Sequence, residues 1–317
     1  MKSNSRLSRH DQLVTMSFLK YKLGYTHAKI AELFNVSVMT VSRMLKTAID
    51  EGIVTISVKI PIDEEKDLSQ QLKQKYGLRD VVIVKNNQYE DAITIVSKAA
   101  ASYLDMVILP RDVMGLAAGR VLSQVLPLMN LPSIDRGKDQ FEVVQVQGGY
   151  PDLEFQNPAS TLVSFVNRFG IPGHLHLYPM YASSEDSAKM LYQQNKEEFE
   201  TLWKKCTILL TGVGILGQHD YQREDNLLSN EDIKELENKG AIGVIFGRWF
   251  DSNGKYLDCS ANRKVMSITP DAQQRIPKRM LVAFGDEKLA VINVLLKTKI
   301  INIFISDEQS AKELLQM

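Results

Sequence analysis

Three glycines in the stretch LLTGVGILG, residues 209–217, have the spacing G-x-G-x-x-G that cradles the pyrophosphate of a dinucleotide. They are Gly212, Gly214 and Gly217, and an apolar run typical of a strand precedes them. Dinucleotide binding requires that such glycines open a helix within the first strand–helix–strand unit of a domain. The residues after Gly217, QHDYQREDNLL, are polar and lack helical spacing of apolar side chains, and the motif lies late in the chain. We therefore predict strand-end loop glycines that line a different pocket, and no dinucleotide cofactor.

Histidine and cysteine are the other residue types that could carry catalysis or bind a metal. His174 and His176 alternate along a predicted strand, and His219 lies in a polar loop. General acid–base catalysis needs a positioned pair of groups, and these histidines form no obvious pair. We interpret His174 and His176 as structural and His219 as an exposed loop residue. Cys206 and Cys259 are far apart and form no C-x-x-C pair. This spacing predicts two reduced thiols, with neither a disulfide framework nor a zinc site.

A polar and basic helix face near the N-terminus could contact DNA. The stretch THAKIAELFNVSVMTVSRMLKTAIDEG, residues 26–52, predicts two helices joined by a tight turn, because apolar residues recur at helical spacing on both sides of Asn35. Asparagine tolerates the positive φ that such a turn needs, and Ser37 can cap the second helix. Although such a face is usually only solvated, here it can enter a major groove, with Arg43 and Thr40 at bases and Lys46 and Ser42 at phosphates. The predicted DNA-binding residues are Thr26, Ser37, Met39, Thr40, Ser42, Arg43 and Lys46.

The charge distribution favours a DNA contact at this end of the chain. The 317 residues carry 38 Lys+Arg and 38 Asp+Glu, a neutral total that by itself argues against a nucleic-acid partner. Through residue 60, however, nine basic residues stand against four acidic ones, a balance of +5, which leaves −5 for the remainder. Phosphate attraction acts within a Debye length of about 8–10 Å, so a local excess is sufficient. The alternating run 53–60, closed by Pro61, predicts a wing strand, and residues 1–61 predict a winged helix-turn-helix domain.

Residues 62–317 predict a second domain of the α/β class with a mainly parallel sheet. The charged helix IDEEKDLSQQLKQKYG, ended by Gly77, is predicted to connect the two domains. Short apolar strands then alternate with helical stretches in VVIV, DVMGLA, FEVVQVQGG, HLHLYP, TILLTGVG, AIGVIFG, KVMSIT, RMLVAFG and INIFISD. Seven glycines are predicted at strand ends, where backbone N–H groups can approach a bound oxyanion. They are Gly115, Gly148, Gly149, Gly212, Gly214, Gly247 and Gly285.

Segments that would direct the chain to a membrane are missing from the sequence. No apolar run reaches the roughly 18 residues that a membrane span needs, and the start MKSNSRLSRHDQ is polar. With 44% hydrophobic residues the chain can fill the cores of two domains. We expect a cytoplasmic globular protein with no membrane partner.

Taken together, these segments resemble the SorC-type sugar-responsive transcriptional regulators of bacteria. GYTHAKIAELFNVSVMTVSRMLKTAIDEGIV is similar to that family's DNA-binding motif. VVQVQGG, GVGIL, AIGVIFGRWFDSNG, IPKRMLVAFGDEKLAVI and INIFISDEQSAKELL then follow in the family's order, so the resemblance covers nearly the whole chain. It implies an effector domain similar to the sugar-phosphate isomerase and glucosamine-phosphate deaminase fold, a homo-oligomer, commonly a tetramer, and a phosphorylated sugar as inducer. The expected function is a DNA-binding regulator of a carbohydrate-utilisation operon, not an enzyme.

The resemblance also implies an effector pocket. Lys288 follows a glycine turn in FGDEKLA, where its cation suits a phosphate, although a surface lysine is the alternative. Asp251 could contact the effector or cap the turn DSNG. The family usually has hydroxyl-bearing residues near Ala117 and Val121; neither can donate here, so backbone N–H groups and Arg120 would substitute. The implied effector-binding residues are Gly115, Ala117, Gly119, Arg120, Gln147, Gly148, Gly149, Asn157, Gly212, Val213, Gly214, Asp251 and Lys288.

Two other functions remain open from the sequence. The fold implied by the resemblance is shared with isomerases and deaminases, so a sugar-phosphate enzyme is the first alternative, although fold alone does not establish catalysis. The second is a constitutive DNA-binding oligomer without an effector, which the missing hydroxyls at Ala117 and Val121 would fit.

Overall fold

The computed structural model describes residues 8–54, 62–117, 119–131, 141–150, 157–217 and 227–317. Residues 55–60 of the predicted wing strand, and His219, lie outside these ranges. The chain divides into two units, Met1–Pro61 and Ile62–Met317. None of the described helices is long and apolar enough to cross a membrane.

Three helices form the described part of the first unit: α1, Arg9–Tyr21; α2, His27–Phe34; and α3, Val38–Asp50. They pack around a small core, which consists of Met16, Ile30, Ala31, Val41 and Leu45. The predicted helix pair is therefore confirmed as α2 and α3. Its inward faces are also those that the apolar spacing indicates.

The turn between α2 and α3 has the geometry that its sequence predicts. Asn35 has φ 51° and ψ 49°, the left-handed conformation, and its N–H donates to the carbonyls of Ala31 and Glu32. Ser37 Oγ accepts the N–H of Thr40 at 3.1 Å, so the predicted cap of α3 is confirmed. These two local interactions fix where α2 ends and α3 begins.

A seven-stranded sheet forms the centre of the second unit, with the strand order β1-β10-β9-β5-β2-β3-β4. All neighbouring pairs in this sheet are parallel, as the sequence predicts. The strands are β1, Asp80–Val84; β2, Val113–Leu116; β3, Glu142–Gln145; β4, Gly173–His174; β5, Ile208–Thr211; β9, Lys278–Val282; and β10, Ile303–Asp307.

A second, smaller sheet is antiparallel and has the order β6-β7-β8. It contains β6, Gly214–Ile215; β7, Gly243–Ile245; and β8, Arg248–Phe250. AIGVIFG supplies β7, so the predicted strand is confirmed, and it belongs to this antiparallel sheet and not to the parallel one. KVMSIT forms isolated bridges, Val265 with Tyr181 and Ser267 with Gln147, instead of a strand.

Ten described helices of the second unit surround these sheets. They are α4, Lys66–Tyr76; α5, Ala92–Val107; α6, Arg120–Leu128; α7, Pro158–Phe169; α8, Glu185–Lys205; α9, Asn230–Asn238; α10, Ser260–Lys264; α11, Pro270–Arg275; α12, Leu289–Lys297; and α13, Glu308–Gln316. A single 3-10 turn, Asp286–Lys288, precedes α12.

The helix α4, predicted to connect the two domains, packs as part of the second unit. Its Leu72 and Tyr76 are buried in the unit's core. The Tyr76 hydroxyl lies 2.9 Å from Asn293 Oδ1 and 3.0 Å from the carbonyl of Leu314. Because α4 buries its apolar face against the rest of the unit, it covers part of the core of the second unit.

Two of the glycines have roles that differ from a strand-end loop. Gly115 lies inside β2, and a Cβ there would stand 2.6 Å from Leu209 and 2.7 Å from Val146, so this glycine permits close packing within the sheet. Gly214 begins β6, so the G-x-G-x-x-G stretch continues from one strand into another. A dinucleotide site would need a helix at that point, and its rejection agrees with the fold.

Candidate functional site

The exposed face of α3 carries most of the predicted DNA-contacting side chains. Met39, Ser42, Arg43 and Lys46 are exposed on it, and Met39 is 72% exposed. Within the described part of the chain, the side chains of Arg43 and Lys46 make no hydrogen bond or ion pair. This face can therefore offer two uncommitted cations and a flexible thioether to another surface.

Three of the predicted DNA-contacting residues also form hydrogen bonds within the first unit, at the starts of α2 and α3. Thr26 Oγ1 caps α2 by accepting the N–H of Lys29 at 3.2 Å. The hydroxyls of Ser37 and Thr40 lie 2.8 Å apart, and Thr40 is half-buried. These hydroxyls are thus engaged within the unit, whereas Arg43, Lys46 and Ser42 project from it.

A cavity of about 250 Å³ lies at the carboxyl ends of the parallel strands in the second unit. Residues that follow β2, β5 and β9 line it. From β2 the chain continues to β3 and β4 on one side of the sheet, whereas β5 and β9 lie on the other side. The cavity therefore occupies a topological switch point, the usual ligand position in open α/β sheets.

The cavity has a positive wall. Arg120 begins α6, and Lys288 ends the 3-10 turn after β9. Burial lowers the pKa of Lys288; the nearby carboxylate of Glu287 raises this pKa, and the positive charge of Arg120 lowers it. Within the described residues, neither cation makes a hydrogen bond or an ion pair. The wall therefore carries two cations against the one carboxylate of Glu287, a net positive charge that suits an anionic ligand.

Backbone amides add to this wall. The first turn of α6 has no side-chain cap, because Gly119 occupies the capping position with φ 151°. The N–H groups at a helix start carry partial positive charge and favour anions. Ala117 and Val121 are buried apolar residues beside this turn, so the structure offers Arg120 and main-chain N–H groups where hydroxyls are absent.

Gln147 supplies a neutral polar group to the same cavity. It lies two residues beyond β3 and is only 3% exposed. Its side-chain amide makes no hydrogen bond with any described residue. Buried amides are normally satisfied, so this one is available for a ligand hydroxyl.

Seven of the residues implied by the family resemblance line this cavity together. They are Gly119, Arg120, Gln147, Gly212, Val213, Gly214 and Lys288. The structure does not bring the other six to its wall: Gly115, Ala117, Gly148, Gly149, Asn157 and Asp251.

Those other residues have structural contacts of their own. Gly148 permits close backbone approach, because a Cβ there would lie 2.2 Å from the carbonyl oxygen of Pro179. The N–H of Gly149 donates to the carbonyl of Tyr178 at 2.7 Å. Asn157 caps α7 through the N–H of Ala159. Asp251 Oδ1 accepts hydrogen bonds from the N–H groups of residues 253 and 255, both at 2.9 Å. Of the two roles that the sequence left open for Asp251, the structure shows the capping of the turn DSNG.

Several lining residues were not anticipated from the sequence. Thr211, Glu287 and residues 282–284 stand at the carboxyl ends of β5 and β9, where the strand-end rule could have found them. Ile93 and residues 244–246 reach the cavity from α5 and from the small sheet. No local sequence signal marks the latter, because their position depends on long-range packing.

Two family models match the two units of the chain. A family model for the sugar-binding domain matches residues 61–316. A second model, described as the helix-turn-helix of DDE superfamily endonuclease, matches residues 5–54. The sorbitol operon regulator of Klebsiella pneumoniae is 26% identical over 308 residues, with 96% of this chain and 97% of the relative covered. The deoxyribonucleoside regulator of Bacillus subtilis (strain 168) is 28% identical over 305 residues, covering 93% and 94%.

The chain belongs to the SorC-type family of transcriptional regulators. Crystal structures agree with this fold. The full-length sorbitol operon regulator SorC from Klebsiella pneumoniae superposes with a TM-score of 0.73 at 23% identity, covering 98% of this chain and 100% of that one. A transcriptional regulator from Streptococcus pneumoniae TIGR4 gives a TM-score of 0.72 at 21% identity, covering 79% and 96%.

Membership of the SorC-type family assigns a general role to each unit. The sugar-binding domain model covers the unit that contains the strand-end cavity, and the helix-turn-helix model covers the unit that contains α3. The SorC-type chain is thus an effector-controlled regulator of transcription with a DNA-binding and a sugar-binding part.

Proposed function

We propose that the chain regulates a carbohydrate-utilisation operon by binding operator DNA through α3 and a phosphorylated sugar in the strand-end cavity. The observation that carries this proposal is the pair of cations, Arg120 and Lys288, on the wall of that cavity. Neither has a carboxylate bonded to it within the described residues. A phosphate monoester carries nearly two negative charges at neutral pH and would offset both.

The neutral residues of the cavity contact the sugar part of the effector. The amide of Gln147 can donate to one sugar hydroxyl and accept from another. Apolar side chains on the wall, among them those of Ile93, Val213 and Phe246, form a surface against which a sugar ring packs. The phosphate end is placed at the uncapped start of α6, where Gly119 leaves room for close approach of an oxyanion.

On the DNA side, α3 enters the major groove as a recognition helix. Arg43 and Thr40 face base edges, and Lys46 and Ser42 face phosphates, with Met39, Ser37 and Thr26 at the margin. Exposure of Arg43 and Lys46 without partners supports this assignment. The +5 balance through residue 60 supplies the sequence-independent attraction.

Homo-oligomerisation, most simply to a tetramer in the cytoplasm, completes the proposal. A single helix-turn-helix head with a modest positive charge binds weakly, and linking several heads raises the overall affinity through effective concentration. The effector then acts by favouring one arrangement of the subunits, so that operator affinity changes with effector occupancy.

The deciding experiment uses the purified full-length chain, DNA from its own promoter region, and matched pairs of sugars and sugar phosphates. We expect sequence-specific binding at low salt that one sugar phosphate alters while its unphosphorylated counterpart does not. That compound, at about 100 times its dissociation constant, stabilises the protein by about 2.7 kcal/mol in thermal unfolding. If no sugar phosphate shifts unfolding while DNA still binds, the protein is a constitutive DNA binder.

The same sample separates regulation from catalysis. An isomerase or deaminase would convert a bound sugar phosphate, which chromatography of the incubated mixture detects. We expect the effector to be recovered unchanged. Turnover without specific operator binding would replace the proposal by the enzyme alternative.

A further inference from the structure

A second cavity of about 250 Å³ lies beside the strand-end cavity and has a different character. Aromatic rings form much of its wall: His176, Tyr178, Tyr192, Phe199 and Trp203. Phe199 stacks on Trp203 with ring centroids 5.3 Å apart and an interplanar angle of 8°. His176 meets Phe199 edge-on at 4.7 Å. Flat apolar surfaces of this kind favour a ring-shaped ligand.

Arg248 brings a positive charge into this aromatic wall. Its Nε donates to the carbonyl of Ile268 and its Nη2 to the carbonyl of Ser267, both at 3.0 Å. Within the described residues no carboxylate is bonded to the guanidinium of Arg248, and Nη1 forms no hydrogen bond. Burial lowers the pKa of Arg248, since the charged form loses hydration. A cation shielded from water normally has a counter-ion, and none of the described residues supplies one to Arg248.

The charged residues at the cavity's rim do not supply that counter-ion. Arg263 is itself paired with Glu185 at 2.7 Å and with Asp258 at 2.5 Å. Lys189 is a further cation at the rim. Lys189 is likewise paired, with Asp186 at 3.8 Å. Because the described lining residues include no aspartate or glutamate, the guanidinium of Arg248 is the lining charge without a carboxylate partner among the described residues.

Three other polar atoms on lining residues lack partners. His176 Nε2, Trp203 Nε1 and Ser267 Oγ are all buried and form no hydrogen bond within the described part of the chain. Burial lowers the pKa of His176 to about 4, so this ring is neutral at pH 7. Buried polar groups are usually satisfied, and small rotations of these three side chains would let a ligand in the cavity supply their partners.

We propose that this cavity is a second ligand site, selective for small carboxylates that carry an aromatic or other flat ring. The carboxylate pairs with the free edge of the Arg248 guanidinium, a geometry that arginine favours. The ring lies among Tyr178, Phe199 and Trp203. An apolar cavity of about 150 Å³ is enough for a benzene ring, so this one has room for the ring and its acid group.

The two cavities have one lining residue in common, Gln147. Lys288 and Arg120 line the strand-end cavity alone, whereas Arg248 and the aromatic residues line the second cavity alone. The proposed site is therefore independent of the sugar-phosphate assignment, and substitutions can address either cavity separately.

The test titrates the full-length protein with benzoate and, as the neutral analogue of equal shape, benzamide. We expect saturable binding of one benzoate per chain by calorimetry, with benzamide at least tenfold weaker. Benzoate should also change the fluorescence of Trp203, and Trp203→Phe should abolish that change. The second tryptophan, Trp249, is buried in a separate cluster and serves as the internal reference.

Variants then fix the location of the bound benzoate. Arg248→Met should weaken benzoate at least tenfold, and Arg248→Lys, which keeps the charge, should weaken it less. Lys288→Ala should leave benzoate binding unchanged. Where Arg248→Met fails to fold, the Trp203 signal decides the location. Equal affinity for benzoate and benzamide, a fluorescence change that persists in Trp203→Phe, loss of binding in Lys288→Ala, or no binding at all would each overturn the proposal.

Discussion

Arg120 and Lys288 lie on one wall of the strand-end cavity, close enough for the charge of Arg120 to lower the pKa of Lys288. They come from distant parts of the sequence, one from the start of α6 and the other from the turn after β9. Two like charges held together in a partly buried site are unfavourable without an anion between them. The carboxylate of Glu287 on the same wall offsets part of this repulsion, and a bound phosphate would offset the remainder.

The first prediction concerns the pH dependence of sugar-phosphate binding. Burial holds the pKa of Lys288 below its ordinary value of 10.5. Lys288 is charged below that lowered pKa and neutral above it, so affinity should decline as the pH rises through it. Calorimetry across a moderately alkaline series measures this decline. Lys288→Arg is the control, because arginine stays charged; an identical decline in that variant would remove Lys288 from the binding site.

A second prediction separates base contacts from phosphate contacts on α3. Arg43→Ala should cost about 1–3 kcal/mol of operator binding and relax the preference for the cognate base. Lys46→Ala should lower the affinity for all DNA sequences by a similar factor and reduce the number of counterions released on binding by about one. Fluorescence anisotropy at several salt concentrations measures both. Lys204→Ala, on α8 of the other unit, is the matched control and should bind as the unaltered protein does.

Asn35 offers a third prediction, on the turn between α2 and α3. Its φ of 51° suits glycine and asparagine, whereas a β-carbon without a polar group is strained there. Asn35→Ala should destabilise the first unit by about 1–2 kcal/mol, and Asn35→Gly should be nearly neutral. Thermal unfolding followed by circular dichroism checks the difference. Equal stability of the two variants would show that the turn relaxes to another conformation.

The fourth prediction follows from the burial of His176. Burial, and to a smaller extent the nearby His174, lowers the pKa of His176 from 6.5 to about 4. Because the unfolded chain takes up a proton near pH 6.5 and the folded protein does not, stability should fall as the pH decreases from 6.5 to about 4. The loss is roughly 3 kcal/mol at most.

Denaturant unfolding at pH 7 and pH 4.5 measures this loss for the unaltered protein and for His176→Phe. The variant should lose less stability on acidification, since it has no proton to take up at this position. His174→Gln controls for the partly exposed neighbour, which contacts Glu142 at 3.0 Å. A steeper acid loss in His176→Phe would contradict the prediction.

The parts of the fold that could be predicted are those fixed by local interactions. The helix pair α2–α3 follows from apolar spacing, the left-handed tolerance of Asn35 and the hydroxyl of Ser37, all within a dozen residues. The parallel sheet follows from short apolar runs that alternate with helices. The glycines after β5 could be placed at a ligand crevice because the carboxyl ends of parallel strands meet, whereas Gln147 and Lys288 were assigned to it by the family resemblance.

The parts that could not be predicted depend on contacts between distant segments. Gly115 reads as a strand-end glycine, yet it lies within β2 and admits the side chains of Leu209 and Val146. Asp251 carries a carboxylate that suits either a ligand or a turn, and only the positions of two N–H groups decide between them. The antiparallel placement of β7 brings residues 244–246 to the cavity from outside the parallel sheet.

Gln147 lies between the strand-end cavity and the second cavity and lines both of them. A ligand that bonds the Gln147 amide in one cavity leaves fewer donors and acceptors for a ligand in the other. We expect binding in the two cavities to be coupled through this side chain, and by thermodynamic reciprocity each ligand would then change the affinity of the other by the same factor. The occupancy of each cavity, and with it the affinity for operator DNA, would then depend on the concentrations of two metabolites together.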